Sequence, residues 1–111
     1  MHNMLYLIGR LVDNPVIEDN SEDKKISNIV IAVQRAWKNE EGIYETDFFE
    51  CTLINGIAEN VVNYCKKGDL VGIKGRLESK KYDGPDTNIK QLYRVIVEKI
   101  SFLSSKSQGD E

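Results

Sequence analysis

Ile57-Ala58-Glu59-Asn60-Val61-Val62-Asn63-Tyr64-Cys65-Lys66-Lys67 is the one stretch of the chain whose apolar residues recur with helical spacing. Ala58, Val61, Val62 and Cys65 fall at i, i+3, i+4 and i+7, a single stripe along one helix face. Asn55 or Gly56 starts this helix and Gly68 closes it, with Lys66 and Lys67 suited to the negative end of its dipole. The other apolar segments have strand character, so the position of this helix among the strands decides the architecture.

Three strands precede it. Residues 4–12 are a nearly continuous apolar run, as in a strand covered on both sides, and Asp13-Asn14-Pro15 ends it with turn chemistry. Residues 19–25 are polar and read as a loop. Residues 26–37, β-branched at their centre, form a second strand, and Asn39 to Gly42 turns the chain into a third over 44–54, so that these two make a hairpin. Two strands follow the helix, over 69–82 and 91–103, separated by Asp83-Gly84-Pro85-Asp86. The order β-β-β-α-β-β describes an all-β chain: the five-stranded Greek-key barrel called the OB-fold, with one helix between strands 3 and 4. Residues 1–103 are read as one domain and 104–111 as a short polar tail.

The chain has 111 residues and a net charge of −3, which in bulk argues against a polyanion as partner. Binding responds to local potential, however, and the charges are segregated. Acids crowd residues 13–23 and recur at Glu40, Glu41, Glu45 and Asp47; Lys66, Lys67, Lys74, Arg76, Lys80 and Lys81 make a later basic segment. The apolar run at the N-terminus is too short for a signal core or a membrane span, so a cytoplasmic protein is expected. Cys51 and Cys65 match no zinc or redox spacing, and His2 is the only histidine, so two reduced buried thiols are expected and no metal site. No paired carboxylates, metal cluster or phosphate-cradling loop supports catalysis. Gly72-Ile73-Lys74-Gly75-Arg76 lies within a strand, where glycine permits close backbone approach.

Side chains alternate along a strand. On the fourth strand Val71, Ile73, Gly75 and Leu77 share one face, while Lys74, Arg76, Lys80 and Tyr82 share the other: a basic row ending in a ring. Phe48 and Phe49 are neighbours and must point to opposite faces, one to the core and the other to solvent or an interface. Arg35 and Trp37 share a face, again a cation beside a ring. Rings interleaved with lysine and arginine serve as a stacking platform for unpaired bases, with the cations on the phosphates. The competing reading of Trp37, Phe48 and Tyr82 is that they cap a small barrel's core.

With these segments in place the chain resembles the bacterial-type single-stranded DNA-binding proteins, from about Asn3 to Leu103. The resemblance is carried by Leu-Ile-Gly-Arg-Leu-Val-Asp-Asn-Pro at 7–15, Asn-Ile-Val-Ile-Ala-Val-Gln-Arg-Ala-Trp at 28–37 and Thr-Asp-Phe-Phe-Glu-Cys at 46–51. It continues through Ala-Glu-Asn-Val-Val-Asn-Tyr-Cys-Lys-Lys-Gly at 58–68 and Val-Gly-Ile-Lys-Gly-Arg-Leu-Glu-Ser-Lys-Lys-Tyr at 71–82. Each piece is weakly specific; all five in order are strongly so. The resemblance implies sequence-independent binding and protection of single-stranded DNA in replication, recombination and repair, without enzymatic activity or cofactor. It places the stacking aromatics on Trp37, Phe48 and Tyr82, with a further family aromatic falling on Ile54. The phosphate-binding row falls on Lys74, Arg76, Lys80 and Lys81, and Arg10 and Arg35 are added to it.

The resemblance further implies a homo-oligomer, usually a tetramer, acting at the bacterial nucleoid. Leu5 and Leu7 on the doubly apolar first strand, together with Phe49, are the candidates for the subunit contact. Family members generally end in an acidic-hydrophobic tip that recruits replication and repair enzymes. Here the sequence stops at Ser-Lys-Ser-Gln-Gly-Asp-Glu, which has acid but no terminal apolar residue, so recruitment of such partners is in question. The ending is read as a natural short form, the alternative being a trimmed chain. Two other functions fit the same fold: a primosome-type dimer, and a protein–protein adaptor whose exposed rings form an interface hot spot.

Overall fold

The computed structural model describes residues 1–81 and 91–105. Its elements run β1 (Leu5–Leu11), β2 (Asp19–Asn20), β3 (Lys25–Lys38), β4 (Tyr44–Ile54), α1 (Gly56–Tyr64), β5 (Leu70–Lys81) and β6 (Gln91–Ser104). The sheet order is β1-β5-β6-β4-β3-β2, and an added β1–β3 pairing closes five of these strands into a barrel. This is the OB-fold expected from the element order, with the helix between β4 and β5. The short β2, formed from polar Asp19 and Asn20 inside the expected loop, pairs with Ile26 and Lys25. Its composition hid it, because two polar residues on an edge carry no apolar pattern.

The core is made by the inward residues of every barrel strand. Leu11, Ile29, Ile31, Cys51, Leu53, Val71, Ile73, Val95 and Val97 are buried together with Ala58 and Val61 of α1, which plugs one end. The helix is shorter than its stripe suggested. It ends at Tyr64, Cys65 is extended, and no basic residue lies in its last turn. Lys66 and Lys67 therefore do not meet the helix dipole. Their backbone N–H groups donate instead to Asp69 Oδ2 and Asn14 Oδ1, and Gly68, at φ 92°, turns the chain into β5.

Closure depends on a missing side chain. A Cβ on Gly9 would stand 2.5 Å from the Ala32 carbonyl oxygen, so only glycine lets β1 cross from β5 onto β3. Gly75 is similarly pressed against the Ile96 carbonyl, whereas at Gly72 a Cβ would meet only ordinary contacts. Close approach thus explains one of the two glycines that the sequence suggested for it.

Two arms leave the barrel. The radius of gyration, 15.9 Å, exceeds the roughly 13 Å of a compact chain of this length. One arm is the end of the β3–β4 hairpin, closed by Asn39, whose Oδ1 accepts from the N–H groups of Glu41 and Ile43. The other is a ribbon of β5 and β6 that continues the barrel pairs Arg76↔Ile96 and Leu77↔Val95 into Glu78↔Arg94 and Ser79↔Tyr93. Leu77 has the parity of the core yet is 42% exposed, because it stands where the ribbon begins, opposite Val95, the first residue of β6 paired with β4.

Candidate nucleic-acid interface

The outward face of β1, β3 and β4 carries the arrangement of interest. Ala32 is paired on one side with Arg10 of β1 and on the other with Phe48 of β4. The register therefore sets a cation, a methyl and a ring in one row across the sheet. Phe48 is 63% exposed, while its neighbour Phe49 is partly buried against the core, which assigns the two faces the sequence left open. Ile8, Gly9, Arg10, Ala32, Gln34, Thr46 and Leu70 line a shallow concavity beside this row. Arg10 is exposed, and its Nη1 donates to the Gly68 carbonyl at 2.9 Å, a neutral acceptor that leaves the positive charge in place.

Trp37 stands on the β3–β4 arm and is 76% exposed. It shares an open cleft with Arg35, Ala36, Lys38, Asn39 and Glu45. Lys38 Nζ sits 5.6 Å from the centre of the Tyr44 ring, a cation–π contact across the hairpin. Neither Trp37 nor Phe48 belongs to the core, so the core-capping reading does not describe these two rings.

Arg35 and Arg76 are held by acids. Arg35 Nε and Nη2 donate to the two carboxylate oxygens of Asp47 at 3.0 and 2.9 Å, and Nη1 donates to Glu45 Oε2 at 2.7 Å. The fork raises the Arg35 pKa above its ordinary value, first through the Asp47 hydrogen bonds, and holds Asp47 below the usual carboxylate range. On the other arm Glu78 accepts from Arg94 at 2.7 Å and from Arg76 at 3.1 Å, and its pKa is lowered, chiefly by the Arg94 hydrogen bonds. Sequence reading missed Arg94 and the Arg35 cluster because those partners lie on different strands, while Arg76 and Glu78 are two apart on one face of β5. Only the register brings the cross-strand partners together.

Lys74 lies between Tyr6 of β1 and Lys99 of β6. These three, with Ile8, Gly72 and Leu103, line a groove on the outer face of β1, β5 and β6. The missed Lys99 doubles the positive charge there. Ile54 pairs with Ile26 at the far end of β4, about 20 Å from Phe48 at the ~3.3 Å rise of a strand, so it is not part of the Phe48 row. Lys80 and Lys81 are placed in β5 opposite Leu92 and Gln91. Tyr82 lies outside the described residues.

Leu5 and Leu7, like Phe49, pack partly buried against the core. β1 alternates instead of being covered on both sides: Tyr6 and Ile8 face outward at 67% and 61% exposure. The apolar outer face expected of the first strand exists, and it is carried by Tyr6 and Ile8.

A model of the single-strand binding protein family matches residues 2–103. The chain is 36% identical over 111 residues to a single-stranded DNA-binding protein of Bacillus cereus, covering all of this chain and 65% of that one. It is 39% identical over 108 residues to single-stranded DNA-binding protein 1 of Clostridium acetobutylicum, covering 96% and 98%. It is 33% identical over 106 residues to single-stranded DNA-binding protein B of Bacillus subtilis, covering 96% and 94%. The chain thus spans just under two thirds of the Bacillus cereus relative and nearly all of the two shorter ones.

Proposed function

The chain belongs to the single-strand binding protein family, and on that premise we propose that it binds single-stranded DNA without regard to sequence and protects it during replication, recombination and repair. The family is one of DNA-binding proteins, not of enzymes. The observation that carries the reading is the row Arg10, Ala32, Phe48 with Phe48 exposed, flanked by an exposed Trp37. Bases stack on Phe48 and Trp37, small Ala32 leaves room for the strand, and Arg10 meets the backbone. Each stacked base contributes about 1–3 kcal/mol. Lys74, with Lys99 opposite, extends the positive surface, and the family resemblance adds Lys80, Lys81 and Tyr82 to the DNA-binding set. Ile54 offers a smaller apolar contact where a wrapped strand leaves the row. The protein melts hairpins by binding the unpaired state more tightly than the paired one.

The exposed Tyr6 and Ile8 support assembly into a homo-oligomer through the outer face of β1, with Leu5, Leu7 and Phe49 as the layer beneath, and a tetramer is the expected form. Residues 1–103 act as the binding domain, at the unpaired DNA of the nucleoid.

The test is a titration of the intrinsic fluorescence of Trp37, the single tryptophan, with oligo-dT at several salt concentrations. Saturable quenching that weakens with salt, with a log–log slope of about −0.7 per phosphate engaged, supports the reading. Absence of quenching by any single strand overturns it and favours the protein–protein adaptor.

A further inference from the structure

Trp37 sits where the β3–β4 ladder fails. Gln34 pairs with Thr46 and Lys38 with Tyr44, so residues 35–37 of β3 face the single residue Glu45 of β4. Such a bulge releases backbone pairing and re-aims the side chains on it. Past the bulge the arm is secured at its tip by the Asn39 turn and by Lys38 over Tyr44. At the bulge itself, the ties are the three hydrogen bonds from Arg35 to Asp47 and Glu45, which lash the bulged strand to β4. Trp37 and Arg35 line the same cleft.

The charges point the same way. One guanidinium faces two carboxylates, so the cluster is net negative and repels a phosphate. Its fork is already used on both Asp47 oxygens, the geometry for which arginine is suited and lysine is not. The Glu78 cluster is the reverse case: two arginines on one acid, in a ribbon whose ladder is regular from Arg76 to Ser79. That ribbon needs no side-chain lashing, and its cluster keeps a net positive charge.

We propose that Arg35 is a positioning residue, pinned by Asp47 and Glu45 so that the bulge presents Trp37 to a base, and that it does not itself bind phosphate. The assignment rests on the single-strand-binding reading above. It assigns Glu45 and Asp47 a role although they lie on a polyanion-binding surface: they hold the arm, at the cost of local negative potential.

The experiment uses the full chain as wild type, Asp47→Asn and Arg35→Lys, with folding checked by circular dichroism. Asp47→Asn removes a negative charge and leaves Arg35 charged; Arg35→Lys keeps the charge and loses the fork. Affinity for oligo-dT is read at several salt concentrations, and the fluorescence anisotropy of Trp37 is read in the free protein. Both variants are expected to bind at least about fivefold more weakly, the lower end of one stacked base, with the wild-type salt slope and a lower anisotropy. Tighter binding by Asp47→Asn with a steeper salt slope would make Arg35 a phosphate ligand and overturn the assignment. Unchanged affinity and anisotropy in both variants would overturn it too. If Asp47→Asn does not fold, Glu45→Gln, which removes the carboxylate charge from one of the three bonds, takes its place with the same expected direction. Should wild type fail to quench with any single strand, the DNA reading falls; free-protein anisotropy then still decides whether Arg35 holds Trp37, and an unchanged value rejects it.

Discussion

Phe48 and Phe49 are adjacent in sequence and should fail in opposite ways when cut to alanine. Phe48 is 63% exposed, so roughly a third of the ring is buried. Complete burial of phenylalanine contributes about 1.5–3 kcal/mol, so Phe48→Ala should cost the fold only ~0.5–1 kcal/mol. Loss of one stacked base, about 1–3 kcal/mol, should raise the Kd for oligo-dT about 5- to 150-fold. Phe49 packs against the core opposite Ile31. Phenylalanine-to-alanine changes in full cores cost about 3–5 kcal/mol, so this partly buried ring should cost ~2–4 kcal/mol. Urea melts give the first quantity and Trp37 quenching the second, since both variants keep the reporter. Phe49→Ala should shift the urea midpoint well below that of Phe48→Ala, yet bind at near wild-type affinity under conditions where it remains folded. If Phe48→Ala melts like Phe49→Ala, or binds oligo-dT as tightly as wild type, the outward row built on Ala32 is not the stacking surface.

The Glu78→Gln variant should bind single strands several-fold more tightly, because it removes the carboxylate charge that offsets Arg76 and Arg94 in a segment that its own ladder holds. Its salt slope should steepen by about 0.7 for each phosphate gained, as read by titration across salt. Gly9→Ala would place its methyl against the Ala32 carbonyl at the β1–β3 seam, a pairing of only Arg10↔Ala32 and Leu11↔Ile31. The overpacking should cost about 1–3 kcal/mol in a denaturant melt, with hydrogen exchange rising first along that seam. The Cys51 thiol, pushed up to about 12 by burial and then by Glu50, should resist a disulfide reagent until the chain unfolds. Cys65, partly buried, should react first and give one thiol equivalent per native chain.

Much of the architecture was written locally. Residues 44–54 form the expected strand, and the Ala58–Val61 stripe forms the helix that plugs the barrel. These readings succeed because the spacing of apolar residues and the turn chemistry of Asn39–Gly42 act over a few residues. The helix end was misjudged at Lys66 and Lys67, because Asn14 and Asp69 compete for their backbone N–H groups, and Asn14 is distant in sequence. Alternation also required that Phe48 and Phe49 part company, but not which of them met solvent.

That choice belongs to the tertiary structure. Phe48 faces outward because β3 and β1 align it with Ala32 and Arg10, and Leu77 is exposed because it stands at the barrel's edge, where the β5–β6 ribbon begins. The chain's composition shows cations near rings; it cannot show that Arg35 is already held by Asp47 and Glu45, or that Arg94 joins Arg76 on Glu78. Strand identity follows from local pattern, whereas each cross-strand partner of a charge follows from register, and register is set by closure of the whole barrel around one core.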